Sequence, residues 1–523
     1  MVFLIRGEIM KSKKHKLIEY ANGKSLEEIN GSIKVSKGQG FLKTLLMYSG
    51  PGALVAVGYM DPGNWATSIT GGQDFQYLLM SVILMSSLIA MLLQYMSAKL
   101  GIVTQMDLAQ AIRARTGKLL GIILWLLTEL AIMATDIAEV IGAAIALNLL
   151  FNIPLIIAVF ITVFDVLLLL LLSKIGFRKI EAIVVCLICV ILFVFTYEVV
   201  LAHPNWMSAI KGLIPSPKVL STSPTINGEN PLTGALGIIG ATVMPHNLYL
   251  HSSISQTRYI DHSSTEDVKR SVKFSTWDSN IQLTGAFFVN ALLLIMGVAV
   301  FKNGAVKDTS FFGLFNALNR PSLLSNHFLA KVAKTGILST LFAVALLASG
   351  QNSTITGTLT GQIIMEGFVH MKMPLWARRL VTRLLSVIPV LACVMMTSHD
   401  SLTRQHIAIN SLMINSQVFL SLALPFSMVP LLMITNNKNE MGVFVNSPLI
   451  KILGWISVIA LIYLNLTGLP DQMAAFFSDN PTQHEIMMGK YAAYIISVLI
   501  ILLLIWVMVE MHFNSKHIKE NEN

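Results

Sequence analysis

The chain has 523 residues, 54% of them hydrophobic and only 12% charged. A soluble globular chain carries about 25% charged residues, so a soluble domain is excluded and a polytopic membrane protein of about twelve spans is expected, each using roughly 20 apolar residues. The formal charge of +9 does not indicate nucleic acid, because the basic residues sit in short connections between apolar runs, where they act as topology signals.

Residues 1–43 are polar and basic without a sustained period. They read as a cytoplasmic tail, partly disordered and touching anionic lipid. Val2–Ile5 is too short for a signal-peptide core, and Met10 offers an alternative start. Spans are expected at about 46–70, 76–98, 119–148, 153–173, 181–202, 233–255, 281–301, 336–360, 377–397, 407–434, 449–469 and 489–511. The first is interrupted by Met60-Asp61-Pro62-Gly63-Asn64-Trp65. Pro62 lacks a backbone N–H and Gly63 is a poor helix former. A carboxylate at the middle of a span costs roughly 2.5 to 3.5 kcal/mol on insertion scales. Non-helical backbone at that depth is tolerated only where it is buried in protein or lines a cavity. The stretch therefore reads as a broken helix whose carbonyls and carboxylate face one point, a site for something positive.

Span 3 carries Glu129, Asp136 and Glu139, which fall within about 80° of one helix face. Aligned intramembrane acids suggest a proton path, or structural ion pairs with Arg378, Arg379 or Arg383 near the start of span 9; the two roles are compatible. Asp165 in span 4 has no assignable partner. Cys186 and Cys189 form C-x-x-C inside an apolar run and read as two small buried hydrophobes. His203–Leu232, with five prolines, is an external loop without evident chemistry. Glu366, His370, Met371 and Met373 imitate a metal cluster but read as a cytoplasmic loop at a helix end. Arg113, Arg115, Lys118, Lys174, Arg178, Lys179, Arg258, Lys269, Arg270, Lys273, Lys372, Arg378 and Arg379 precede the odd-numbered spans 3, 5, 7 and 9 and place both termini in the cytoplasm.

Span 6 repeats the interruption, with Met244-Pro245-His246-Asn247 inside the apolar run Gly234–Ser253. Paired Pro/Gly-interrupted spans at corresponding places in two halves point to an inverted-repeat transporter whose half-helix ends meet at the midplane. The two breaks offer the Asp61 carboxylate, the Asn64 amide oxygen, the Met244 thioether and freed carbonyls near Met60 and Ala241. Oxygen alone would suit Mg²⁺ or Ca²⁺; a thioether adds more for softer ions, so the set suggests Mn²⁺, Fe²⁺ or a similar divalent ion. His246 is a candidate ligand or proton carrier, or a satisfied core histidine.

Asp61-Pro62-Gly63-Asn64 and Ala241-Thr242-Val243-Met244-Pro245-His246-Asn247 resemble the two signatures of the Nramp divalent-metal transporters. Gly350–Gly367 is similar to that family's transport motif, and Thr135-Asp136-Ile137-Ala138-Glu139-Val140-Ile141-Gly142 is similar too. The resemblance covers about 45–470. It implies an all-α, LeuT-type membrane fold of two inverted five-helix repeats with helices 1 and 6 broken, plus two C-terminal helices. It also implies proton-coupled uptake of Mn²⁺ or Fe²⁺. Ligands carry over to Asp61, Asn64, Met244 and the Ala241 carbonyl, with Gln417 and Asn290 as secondary positions. The proton pathway is expected to use Asp61, Asp136, Glu139 and His246, with Arg378, Arg379 and Arg383 keeping the acids ionised. The units expected are a tail at 1–43, a first repeat at 44–202, an external loop at 203–232, a second repeat at 233–434, and 435–523 with spans 11 and 12.

A sodium-coupled amino-acid transporter of the same fold is the alternative, but Asp61 would repel a substrate carboxylate. No H-E-x-x-H helix and no G-x-x-x-x-G-K-[ST] loop occurs, so neither a zinc metalloenzyme nor an ATP-driven pump is expected. The expected partners are divalent transition metal ions, protons and the lipid bilayer of the plasma membrane, with no cofactor, nucleic acid or obligate protein partner.

Overall fold

The structure is a computed structural model that describes residues 19–20, 25–26, 28–165, 177–224, 226, 230–300, 308, 310–319, 335–475 and 483–520. Proline opens six of the α-helices among the described residues. After a short α1 (Phe41–Tyr48), Pro51 opens α2 (Pro51–Val57) and Pro62 opens α3 (Pro62–Phe75). A first-turn proline loses nothing, since the N–H it lacks has no partner inside the helix. Together α2 and α3 form the broken first span. Span 2 is α4 (Met80–Thr104). The short α5 (Leu108–Arg113) starts on a reciprocal cap between Asp107 and Gln110. Span 3 is α6 (Lys118–Phe151), α7 (Leu155–Thr162) begins span 4, and α8 (Phe177–Ala202) is span 5.

The second half repeats the scheme. After α9 (Trp206–Gly212), Pro231 opens α10 (Pro231–Thr242) and Pro245 opens α11 (Pro245–Ile254), the broken sixth span. Then come α12 (Thr265–Val300), α13 (Phe311–Asn319), α14 (Ile337–Val369) and α15 (Leu375–Met396). Span 10 is α16 (Leu402–Ala423) with α17 (Pro425–Thr435), and α18 (Pro448–Ala475) and α19 (Gln483–Glu520) complete the bundle. Eight stretches among the described residues are long and apolar enough to cross a membrane on their own. The other spans fail that test for visible reasons. Spans 1 and 6 are cut into short halves, span 4 runs into 166–176 outside the described residues, and α14 is laced with Ser, Thr, Gly and Gln.

α14 lies along α6, and α12 packs against α2, α3 and α4. The two broken spans touch through α3 and α10, and α16 closes on both of these and on α6. The last helix is peripheral: its apolar window is 11% buried, against 83% for span 10.

Five expectations are corrected. Span 7 starts at Thr265, because its first turns are a polar amphipathic extension below the apolar run. Cys186 and Cys189 are exposed on the outer face of α8, small apolar groups turned toward lipid and not into the core. The loop 203–232 contains α9, capped by the Asn205 side chain on the Ser208 N–H at 3.0 Å. The described part of the N-terminal tail is docked. Strand β1 (Glu19–Tyr20) pairs antiparallel with β2 (Met371–Lys372). Leu26 N–H donates to Glu366 Oε2 at 2.8 Å, Gly31 N–H to Gln256 O at 2.9 Å and Ile33 N–H to Thr257 O at 3.0 Å. Glu366 is thus a buried anchor and not part of a loop, while Met371 lies in β2.

Candidate metal site and ion-pair network

A proline deprives the carbonyl four residues earlier of its helical donor. Pro62 frees Gly58 O in this way, and Pro245 frees Ala241 O. The Asn64 amide reaches both: Nδ2 donates to Ala241 O at 2.8 Å and to Gly58 O at 3.3 Å. One side chain therefore ties the two breaks together. The freed carbonyl of span 1 is Gly58, not Met60; Met60 O already accepts from Ser349 Oγ at 2.6 Å and Trp65 Nε1 at 2.9 Å.

Asp61 caps α3. Its Oδ1 accepts from the Asn64 N–H and from Asn64 Nδ2, both at 2.8 Å. Its Oδ2 is fully buried and has no partner among the described residues. Gln417 of α16 lies against Gly63, where any Cβ would collide with its amide; Nε2 donates to Ser416 Oγ at 3.1 Å and Oε1 is unpartnered. Asn290 of α12 donates to Tyr59 O at 2.8 Å, leaving its Oδ1 free. Met244 is fully buried between Ala134 of α6 and Leu420 of α16, directly before α11. His246, in the first turn of α11, is buried with Nδ1 unpartnered and lies within the field of Asp136. Asn247 packs on Gly58 with both amide atoms unpartnered. Among the described residues no group of three or more His, Cys, Asp and Glu could hold a metal ion. The hydrogen bonds bring together the Asp61 carboxylate, the Asn64 amide and the Gly58 and Ala241 carbonyls, with the Met244 thioether three residues beyond Ala241.

The acids of span 3 form a buried network. Arg379 of α15 holds Asp136, binds Glu139 at 2.8 Å and reaches Asp165 at 3.2 Å. Arg383 grips Asp165 through Nε at 2.8 Å and Nη2, and donates to Asp136 O at 3.3 Å. Asp165, unassigned from the sequence, is therefore the third acid of this cluster. Arg378 is set apart: it pairs with Glu129 at 2.5 Å. Thr354 of α14 sits at the centre, accepting from Arg379 and Arg383 at 2.9 Å each and placed 3.2 Å from Glu139 and 3.3 Å from Asp165. Gly361 makes room one layer away, since a Cβ there would collide with the Arg378 guanidinium. Three carboxylates facing two guanidiniums leave one formal negative charge in excess.

The N-terminal half of span 1, α2, is anchored separately. Asp278 accepts from Gly52 N at 2.7 Å, and Arg258, paired with Glu181 at 2.6 Å, donates to Ser49 O at 2.6 Å. The sequence reading missed Asp165, Thr354, Gly58 O and Asn247. Asp165 stands out in the sequence as a lone intramembrane acid, and Thr354 and Asn247 lie inside the quoted motifs without an assigned role.

A helical bundle of about twelve spans, whose first and sixth are broken and meet at a buried polar point, defines the LeuT-type class of membrane transporters. The chain belongs to the Nramp family (natural resistance-associated macrophage protein-like), whose model matches residues 52–470. It is 57% identical over 456 residues to the divalent metal cation transporter MntH of Latilactobacillus sakei subsp. sakei (strain 23K), covering 87% of this chain and 96% of that one. Against MntH of Staphylococcus aureus (strain JH9) it is 51% identical over 458 residues, with 87% and 97% covered. The crystal structure of the Eremococcus coleocola manganese transporter, in complex with an aromatic bis-isothiourea substituted compound, superposes with a TM-score of 0.89 at 63% identity, covering 94% of this chain and 100% of that one.

Proposed function

We propose that the chain is a secondary transporter, not an enzyme, that imports divalent transition metal ions in symport with protons by alternating access. Mn²⁺ is the leading substrate, with Fe²⁺ and Cd²⁺ as further ions. The protein works in the plasma membrane with both termini in the cytoplasm, using repeats at 44–202 and 233–434 around the site. The observation that carries this reading is the unpartnered Oδ2 of Asp61, buried where the two broken spans meet. A buried carboxylate oxygen without a partner is costly unless a cation or a proton occupies it.

Asp61, Asn64, the Ala241 carbonyl and Met244 are the proposed ligands. Gln417 supplies a further amide oxygen and Asn290 a more distant one. Asn64 now points its NH₂ group at Asp61 and at both freed carbonyls, so binding through its oxygen requires the amide to turn and release them. The proton is proposed to leave Asp61 and pass by His246 to the cluster of Asp136 and Glu139, where the excess negative charge gives it a seat. Arg379 and Arg383 hold these acids directly, and Arg378 acts one step removed, on Glu129. The sodium-coupled amino-acid alternative is disfavoured, because the free oxygen of Asp61 would face the substrate carboxylate. Calorimetry of Mn²⁺ binding to purified Asp61→Ala protein tests the reading. Loss of binding is expected; unchanged affinity would remove Asp61 from the site.

A further inference from the structure

Lys99 of α4 is 2% exposed, yet its ammonium meets no carboxylate within ion-pair distance among the described residues. Its partners are neutral: Asn446 Oδ1 and the Tyr95 hydroxyl at 3.2 Å, with the Tyr95 ring centroid 4.6 Å away. Tyr95 in turn walls a cavity of about 430 Å³ between α4 and α12. Lys269, Lys273, Trp277, Asn280 and Phe444 also line it, and no acid does. Lys269 has a counter-charge only outside the cavity, in the exposed Glu266 at 3.1 Å. Two lysines thus face a cavity backed by a third, buried one. Burying a cation without a counter-charge is costly; an anionic group in the cavity would offset that cost for Lys99 and pair with the two exposed lysines at the rim.

The walls indicate what carries the anion. Trp277, Ile281 and Phe288 are exposed and lie within about 40° of one another on α12, so an apolar stripe leads from the cavity along the helix. Tryptophan and tyrosine concentrate where headgroups meet hydrocarbon. The cavity lies beside the docked N-terminal segment, since Arg270 on the same turn of α12 donates to Ser36 O at 3.0 Å and Lys37 pairs with Asp267 at 3.0 Å. In the proposed orientation this is the cytoplasmic leaflet, where anionic lipids give the surface a negative potential. We propose that the cavity is a binding site for an anionic diacyl phospholipid of the inner leaflet. Its phosphodiester sits between Lys269 and Lys273 within the field of Lys99, and its acyl chains lie along the Trp277–Ile281–Phe288 stripe.

Native mass spectrometry of the full-length, detergent-purified protein tests this with phosphatidylglycerol and phosphatidylcholine of the same acyl chains. Phosphatidylglycerol is expected to bind more tightly. Lys269→Ala/Lys273→Ala should weaken it roughly thirtyfold, from about 1 kcal/mol for each lysine near the membrane surface. Lys269→Arg/Lys273→Arg keeps both charges and should retain the wild-type affinity. Equal retention of the two lipids, or unchanged phosphatidylglycerol affinity in the alanine variant, overturns the proposal. So does weakened affinity in the arginine variant. Inorganic phosphate that displaces the lipid at equal concentration would reassign the cavity to a soluble anion and overturn the lipid assignment.

Discussion

Asp61 has two oxygens with two fates: Oδ1 caps α3, and Oδ2 faces no partner among the described residues. The cap explains how a carboxylate is held at a helix break without a cation, and the bare oxygen explains what a cation would bind. Met244 is the proposed soft donor. Met244→Ala should weaken Cd²⁺ and Mn²⁺ binding and favour Ca²⁺ or Mg²⁺ in relative terms, because it keeps the oxygens and removes the sulfur. Competition uptake in proteoliposomes checks this; a variant that still excludes Ca²⁺ as well as wild type would shift selectivity to cavity size. The primary ligand candidates were legible in the sequence because proline, glycine and a lone carboxylate cannot share an apolar run without a reason. Gly58 O was not, because its release depends on which carbonyl lies one turn before Pro62, and the reading placed the free carbonyl at Met60. The packing of Asn247 on Gly58 was not legible either, since nothing local announces that contact.

At the scale of elements, most spans were legible because a bilayer demands roughly 20 apolar residues whatever the tertiary contacts. The failures occur where long-range contacts decide. Asp165 finds its partners on α15, more than 200 residues away, so no local pattern announced the pairing. The N-terminal segment has no period because its order comes from backbone bonds to the ends of spans 6 and 8. Glu366 is the anchor with the most to lose. Its bond to the Leu26 N–H, at 2.8 Å, is of the charge-assisted kind worth about 1.5 to 3 kcal/mol. Glu366→Ala should therefore raise the hydrogen-exchange rate of residues 25–33 by roughly tenfold or more, with metal affinity at Asp61 unchanged. Unaltered protection would mean that the strand pair and the Gly31 and Ile33 bonds hold the segment without it. Breaking the Arg379 hub should cost more. Arg379→Ala leaves three acids facing one guanidinium, and removing one partner of a buried pair typically costs about 3 to 5 kcal/mol. Loss of folded yield is the expected outcome, read by size-exclusion chromatography.

For the whole molecule, energetics constrain what the protons do. An inside-negative potential of 100 mV favours entry of a divalent ion by roughly 4.6 kcal/mol, at about 2.3 per charge. A unit of pH gradient adds only about 1.4 kcal/mol per proton. Voltage alone can drive metal entry, so the proton is better suited to managing charge in the site than to fuelling transport. Metal binding displaces protons from its ligands, so in the proposed cycle the proton that an arriving ion displaces from Asp61 needs a separate acceptor. Asp136, Glu139 and Asp165 share Arg379 and Arg383, and their single excess negative charge can take up that proton without leaving a new charge unpaired. His246 is the proposed intermediary, being buried with Nδ1 unpartnered among the described residues and Asp136 in its field. Asp136→Asn and Glu139→Gln keep the shape and most hydrogen bonds of the cluster while removing a proton acceptor. Both should bind metal as wild type does and show reduced metal-stimulated proton entry. Proteoliposomes carrying an internal pH dye, assayed alongside radioactive-metal uptake, read both fluxes together. Wild-type proton entry in both variants would sink the route, and equal loss of both fluxes would assign the cluster a structural role instead.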